Sequence, residues 1–308
     1  MDPLLSVNDV AKTFGDVKAV DGVSFGIRRG TITGLLGRNG AGKTTTLRMI
    51  NGVFFPDRGT ISLFGGSVEA ARDRIGYLPE ERGLYRKMKL LELLLFLAEI
   101  KGRTGAAVRK AAERWLVRFE LWDRRDVKLE ELSKGNQQKV QLVGALLHDP
   151  EILILDEPMA GLDPVNVVLV RRLLLELKAE GKTVLLSTHQ MAEAEKLAEE
   201  IILIHRGRVV LDGSLASIRA SSGKNAVHVE FEGEGAFLTS LPDVVGGRVD
   251  TNRAELVLAA GRDAQAILRE AVSRLKVRRF EIVEPSLEEI FIEKVGESTL
   301  APEGKAAA

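Results

Sequence analysis

The stretch Gly37-Arg38-Asn39-Gly40-Ala41-Gly42-Lys43-Thr44 constrains this chain more than any other, because it fits the pattern G-x-x-x-x-G-K-[ST]. It follows Thr31–Leu36 (TITGLL), which reads as a short strand, and runs into Thr44–Ile50, which reads as a helix. Glycines let a backbone wrap its N–H groups around phosphate oxygens, and the helix that follows adds the positive end of its dipole. Lys43 would reach the β- and γ-phosphates, and the Thr44 hydroxyl would bind Mg²⁺. A glycine-rich turn before an ordinary helix is the plain alternative; the strand before and the helix after favour a phosphate loop. The expected nucleotide contacts are Gly37, Arg38, Asn39, Gly40, Ala41, Gly42, Lys43, Thr44 and the adjacent Thr45.

A second local pattern complements the first. Ile152–Leu155 is an apolar run ending in Asp156 and Glu157. A carboxylate at the end of a buried strand can enter a Mg²⁺ shell, the role expected of Asp156. The next one, Glu157, can take a proton from water attacking the γ-phosphate. Solvated acids also cap strands in α/β proteins, so the phosphate loop upstream decides in favour of catalysis.

Ile152–Leu155 and Thr183–Leu186 are short, nearly continuous apolar runs, as in parallel strands buried on both faces. A helical stretch of about Val165–Glu180, ended by Gly181, lies between them, and strand, helix, strand predicts a parallel α/β sheet. Val23, Phe25 and Ile27 alternate with Ser24 and Gly26 as in a half-buried strand. Ala106–Leu121 reads as an amphipathic helix with Ala111, Trp115 and Phe119 along one face. Lys89–Ile100 (KLLELLLFLAEI) reads as a mostly buried helix, far short of the ~18 apolar residues of a membrane span. The start of the chain does not read as a signal peptide.

The character changes after about Leu215. Ser221-Ser222-Gly223-Lys224 reads as a linker. Alternating Val227, Val229 and Phe231, a strand over Glu255–Ala259, a helix over Asp263–Leu275, a strand over Phe280–Val283 and a helix over Ser286–Val295 predict a small α+β domain. The expected boundaries are 1–215 for the nucleotide domain, with a helical part at about 82–145, then 225–295, and a disordered tail over 296–308.

About twenty residues before the Ile152 strand stands Leu132-Ser133-Lys134-Gly135-Asn136-Gln137-Gln138-Lys139. With it the chain resembles the ATP-binding subunits of ABC transporters over about Leu4–Gly213, with the motifs in the family's order. It looks like their signature sequence, with Lys134 and Asn136 in place of the usual glycine and glutamine, followed by its helix, which is expected to start near Gln137. The resemblance implies an ABC-type P-loop ATPase fold: a mostly parallel sheet, an antiparallel β subdomain and a helical subdomain, followed here by the small α+β domain. It implies that Phe14 stacks on adenine and that His189, in Ser187-Thr188-His189, contacts the γ-phosphate. Asp163, in Gly161-Leu162-Asp163, matches the loop that crosses between partners. Ser133, Gly135 and Asn136 would act on ATP held by a second copy, so that two subunits sandwich two ATPs. Taken singly, Phe14 would pass for a core aromatic and Lys134 for a solvated charge.

The sequence departs from the family after Ile75-Gly76-Tyr77-Leu78-Pro79, where Glu80 replaces the usual glutamine. Ionised Glu only accepts hydrogen bonds, whereas Gln also donates. Glu80 is expected to touch the Mg²⁺ shell together with Thr44 and Asp156, and to join Lys43, Glu157 and His189 in catalysis. Glu80–Arg86 (EERGLYR) and the helix after Lys89 resemble the part that meets the membrane partner. Glu284-Pro285-Ser286-Leu287-Glu288 resembles an appendix on a branch of these subunits paired with separate permeases in sodium or drug export.

Composition narrows the alternatives. The 44 basic and 44 acidic residues cancel, which gives no electrostatic reason to expect a nucleic-acid partner. With no cysteine there are no disulfides, thiol nucleophiles or cysteine metal sites, and His148, His189, His205 and His228 are too scattered to suggest a His-rich metal site. The expected protein is therefore an exporter's motor: an ATPase using ATP and Mg²⁺, a homodimer in the family's manner, held by a separate permease at the cytoplasmic face of the membrane. A soluble nucleotide switch acting on a ribosome or DNA is the competing reading. It is disfavoured by the single phosphate loop and the absence of sustained heptads. A non-hydrolysing regulatory subunit is disfavoured by the presence of Glu157 and His189.

Overall fold

The computed structural model describes residues 3–81, 83, 85–221, 225–259 and 262–300. The chain divides into two compact units, Met1–Gly213 and Ser214–Ala308.

The first unit begins with β1 (Leu5–Phe14), β2 (Val17–Ile27), β3 (Ile32–Leu36), α1 (Lys43–Ile50), β4 (Arg58–Leu63) and β5 (Ile75–Leu78). Three helices follow, α2 (Leu90–Ile100), α3 (Ala106–Arg118) and α4 (Lys134–Leu146). The unit ends with β6 (Ile152–Asp156), α5 (Pro164–Ala179), β7 (Thr183–Thr188), α6 (Met191–Glu195), β8 (Glu200–His205) and β9 (Arg208–Ser214). Six strands form one sheet in the order β5-β6-β7-β3-β8-β9. The pairs from β5 to β8 are parallel. Every residue of β3, β6 and β7 is buried, as their continuous apolar runs require. A separate antiparallel sheet, β2-β1-β4, lies over α1. Val7, Val10, Val20 and Val23 from that sheet share one core with Leu47 and Ile50 of α1 and with Leu35, Ile154, Leu185 and Ile202 of the parallel sheet. Helix α1 is thus fixed from both sides, and its N-terminus is held at the end of β3.

Helices α2, α3 and α4 pack on one another. At Gly144 an added Cβ would stand 2.9 Å from the Leu97 side chain, so glycine lets α4 approach α2 closely. Two expectations are corrected here. The buried face of α3 is Val108, Ala112 and Leu116, one position away from the expected Ala111 and Trp115; Phe119 is buried as the cap. The Trp115 indole stays at the boundary, between the guanidiniums of Arg114 and Arg118. Helix α4 starts at Lys134, not near Gln137. The Ser133 hydroxyl accepts the Asn136 N–H at 3.3 Å and so caps the helix earlier.

The second unit holds α7 (Leu215–Ser221), β10 (Asn225–Glu232), β11 (Val244–Val249), β12 (Arg253–Leu258), α8 (Ala264–Arg274), β13 (Lys276–Val283) and α9 (Leu287–Leu300). Its sheet, β11-β12-β10-β13, is antiparallel. Val227, Val229 and Phe231 meet Leu256, Leu258, Ile267 and Ala271 in a core of its own. The last helix runs to Leu300, past the expected end at Val295. The linker residues 222–224 and the tail residues 301–308 lie outside the described residues, as do Arg82 and Leu84.

The edge of the parallel sheet away from the strand ends that matter below is tied by Glu151. Its carboxylate accepts from Arg74 at 2.5 and 2.9 Å and from Arg29 at 3.1 Å. These bonds hold the carboxyl down at about 2 against an ordinary 4.5. Above about pH 4.5 the stabilisation is complete, and it fades as pH falls towards 2. The carboxylate is two-fifths exposed, so solvent screening limits its worth to less than about 1 kcal/mol. Glu151→Gln should lower the melting temperature at pH 7 by no more than ~2–4 °C. In melts at stepped pH, the gap to wild type should shrink as the buffer is acidified below 4.5; a constant gap would show that the carboxylate's charge contributes nothing.

Candidate functional site

The carboxyl ends of β3, β6 and β7 lie side by side, and the functional side chains project from just beyond them. Beyond β3 the chain enters the loop at Gly37. A Cβ there would lie 2.3 Å from the Ile204 carbonyl oxygen, so only glycine fits. Gly42 caps α1 with φ of 107°, where a Cβ would meet the Ala19 oxygen at 2.6 Å. Between them Arg38, Asn39 and Gly40 are exposed, while Ala41 is buried and Thr45 half-buried. The first N–H groups of α1 have no partner inside the helix, which leaves them for an anion.

Lys43 is buried, and its ammonium donates to the loop's own carbonyls, Gly37 O at 2.7 Å and Arg38 O at 3.3 Å. It stands 3.8 Å from the Glu157 carboxylate. Burial lowers its pKa, and the charges of Glu157, Asp156 and Glu80 oppose that fall. Asp156 closes β6 and is fully buried. One of its oxygens accepts a short hydrogen bond from the Ser187 hydroxyl, and the other, Oδ2, has no partner. Burial raises the Asp156 pKa; the Ser187 bond and the nearby Thr44 hydroxyl pull it down, and Glu80 and Glu157 push it up. The Thr44 hydroxyl also lies 3.4 Å from Glu80, whose side chain is exposed.

Glu157 turns off the strand end in a left-handed conformation, φ of 51°, which is costly for a residue with a side chain. Its N–H bonds to Ser187 O at 3.2 Å and Ser187 Oγ at 3.1 Å. Its Oε1 accepts the His189 N–H at 3.0 Å and stands 2.8 Å from His189 Nδ1. Lys43, Thr44, Glu80, Asp156, Glu157 and His189 therefore form one cluster, three carboxylates around one ammonium. The unpaired Asp156 oxygen and the Thr44 hydroxyl suit a hard cation with oxygen ligands. Among the described residues no three His, Asp or Glu side chains form a metal cage.

Other expected residues lie outside this cluster. Phe14 is half exposed, not core, and stacks edge-on against Phe54 at 5.5 Å. Lys12, paired with Asp57, lies 5.7 Å from both rings. Ser133 is spent on capping α4, with Asn136 in the first turn. Gly135 faces Gly161 and Leu162, at ordinary contact distance from a Cβ placed on it. Asp163 caps α5 through the Asn166 N–H at 3.0 Å. Sequence reading gave no role to Ser187 or to Phe54. A hydroxyl directly after the apolar run Val184–Leu186 was the available signal for the first.

Gly42→Ala tests the loop. A left-handed residue with a Cβ driven onto Ala19 should cost ~1–3 kcal/mol or more. Thermal unfolding should show a lower melting temperature and no further rise on adding Mg·ATP. A normal ATP-induced rise would mean that the loop geometry does not need glycine here.

Comparisons with known proteins complete the description. A family model described as "ABC transporter" matches residues 20–160, and one described as "ATP-binding protein DrrA1-3-like, C-terminal domain" matches residues 213–295. The uncharacterized ABC transporter ATP-binding protein YhaQ of Bacillus subtilis (strain 168) is 44% identical, over 95% of this chain and 99% of that protein. The Nod factor export ATP-binding protein I of Ralstonia nicotianae is 40% identical, over 68% of this chain and 67% of its own. Among solved structures, a dimeric ATP-binding cassette in a post-hydrolysis state bound to ADP and Pi superposes with a TM-score of 0.64. It is 27% identical, covering 68% of this chain and 98% of that one.

Proposed function

The chain belongs to the family of ABC transporter ATP-binding proteins, and from that membership we propose that it drives an exporter, closing as a homodimer around two ATPs and working on a separate membrane permease. It is an ATP-binding, ATP-hydrolysing subunit of a transporter. The observation that supports the hydrolytic part of this reading is the cluster itself: Lys43, Thr44, Asp156, Glu157 and His189 converge at three adjacent strand ends, with a buried carboxylate oxygen left unpaired.

In this reading the loop from Gly37 to Thr45 takes the phosphates, and Phe14 the adenine ring. Mg²⁺ would be held by Thr44, Asp156 and Glu80 and supplies neutralisation of charge on the phosphate oxygens. Lys43 gives up its two carbonyls for phosphate oxygens. Glu157 takes a proton from water as the water oxygen attacks the γ-phosphorus; the bond to the bridging oxygen breaks, leaving ADP and phosphate. His189, already bonded to Glu157, orients that carboxylate and faces the γ-phosphate. Ser133, Gly135 and Asn136, at the N-terminus of α4 beside the Gly161-Leu162 turn, would complete the site of the second copy.

The permease has a candidate seat. A groove of about 310 Å³ runs between β5 and helices α2 and α4, lined by Tyr77, Pro79, Leu97, Ile100, Gln141 and His148. It is largely apolar, and the buried Gln141 Oε1 has no partner. Glu80 stands next to Pro79 and 3.4 Å from Thr44, so a single short segment joins groove and phosphate loop. No helix among the described residues is long and apolar enough to cross a membrane. The reading puts the chain on the cytoplasmic face, attached through the permease; the name of the Nod factor export relative supports the export part of it.

Glu157→Gln is the direct test. It should bind ATP as wild type does, lose ~10²–10⁴-fold in turnover, and accumulate as a closed dimer when ATP is added. ATPase rates and mass in solution read both; turnover near wild type would remove Glu157 from the role of base.

Glu80→Gln separates charge from shape. It removes a carboxylate from a crowded acidic site. ATP affinity should stay within a few-fold, while the Mg²⁺ dependence and the stimulation by the permease in lipid should change. Loss of ATP binding would place Glu80 in the binding site proper; no change in either response would leave it a surface carboxylate.

A further inference from the structure

Strand register puts Ser187 beside the two acids. In the parallel pairing of β6 with β7, Asp156 is the partner of Ser187, and on the other side Ser187 pairs with Leu35 at the end of β3. Ser187 is fully buried, so no water competes for its hydroxyl. The group has one hydrogen to give and lone pairs to receive. The Glu157 N–H can only donate, and it reaches Ser187 Oγ at 3.1 Å. The Ser187 hydrogen is then left for Asp156 Oδ1, the short contact already described. The direction of both bonds follows from the donor inventory alone.

We propose that Ser187 is a positioning residue for ATP hydrolysis, a single hydroxyl that fixes both the plane of the Asp156 carboxylate and the turn that presents Glu157. The inference rests on the reading of Asp156 as the metal carboxylate and Glu157 as the base. With Oδ1 held by Ser187, it is Oδ2 that remains without a partner and is available to a cation. The same side chain supplies the second acceptor for the N–H of Glu157, the residue whose left-handed backbone most needs support. Alanine at this position would free the Asp156 carboxylate to rotate and leave Oδ1 unpaired in a dry site. Partners that orient metal ligands in this way are typically worth ~10–100-fold in metal affinity or activity.

The test reads binding rather than turnover. The affinity for a fluorescent ADP analogue is measured with excess Mg²⁺ and again with EDTA, and the ratio gives the gain due to the metal. Ser187→Ala should cut that gain by ~10-fold or more while leaving the affinity in EDTA within about two-fold. Ser187→Thr, which keeps the hydroxyl, should restore most of it. An unchanged gain in Ser187→Ala, or an equal loss with and without Mg²⁺, would overturn the proposal by making Ser187 a packing residue only. If Ser187→Ala does not fold, Ser187→Cys keeps the shape with a weak donor and must show the loss, against rescue by threonine. Asp156→Asn is the control on the underlying reading. If it keeps the full Mg²⁺ gain, Asp156 is not the metal carboxylate and the role of Ser187 falls with it. If it abolishes the gain and Ser187→Ala does not, the metal site stands and only Ser187 is misassigned.

Discussion

One buried ammonium facing three carboxylates sets the terms for the rest of this molecule. Lys43 loses solvation by sitting inside, and Glu157, Asp156 and Glu80 offset that loss. The same carboxylates raise one another's cost, most of all at Asp156, where burial already disfavours charge. Such an arrangement needs exact backbone placement. The parallel order β6-β7-β3 puts three strand ends side by side, where open α/β sheets bind their ligands. Glycines at positions 37 and 42 let the loop pass within contact of Ile204 and Ala19.

What the sequence revealed was whatever its chemistry placed close together in the chain. The phosphate loop, the Asp156-Glu157 pair and the buried strands are local patterns, and the structure brings them into one site. The features that escaped reading depend on pairing between distant segments. Ser187 is unremarkable until register sets it beside Asp156, and Phe54 until it meets Phe14 forty residues away. Strand β1 is broken by register shifts on either side of Asp9, whose φ is 46°, so its alternation is lost. Strand β11, Val-Val-Gly-Gly-Arg-Val, lies at a sheet edge with most of its residues exposed and shows no period at all. The offset in α3 has a different origin: tryptophan is large enough to lie across the boundary of the buried face rather than within it.

The second unit follows different rules. Its inward row, Val227, Val229 and Phe231, builds a core with β12 and α8. Its other row is charged and matched across strands: His228 stands opposite Glu255 and Glu281, and Glu230 opposite Arg253 and Arg279. Such a face is at home in water, and among the described residues of this unit none gather into the cluster of buried acids and base that marks the first. The buried charge cluster and this water-facing sheet thus lie on opposite sides of the division at about residue 213 along the chain.

The resting place of Lys43 bears on how the motor resets. With its ammonium hydrogen-bonded to the carbonyls of Gly37 and Arg38, Lys43 is satisfied by its own loop. On the proposed reading, nucleotide binding is an exchange of one set of partners for another, and part of the gross attraction is spent on displacing the loop's own oxygens. The return journey is correspondingly easy. When phosphate departs, the ammonium folds back onto its own loop instead of standing unpaired among buried groups. A cycling machine must let go as readily as it grips, and here the backbone that holds the phosphates also receives the charge they leave behind.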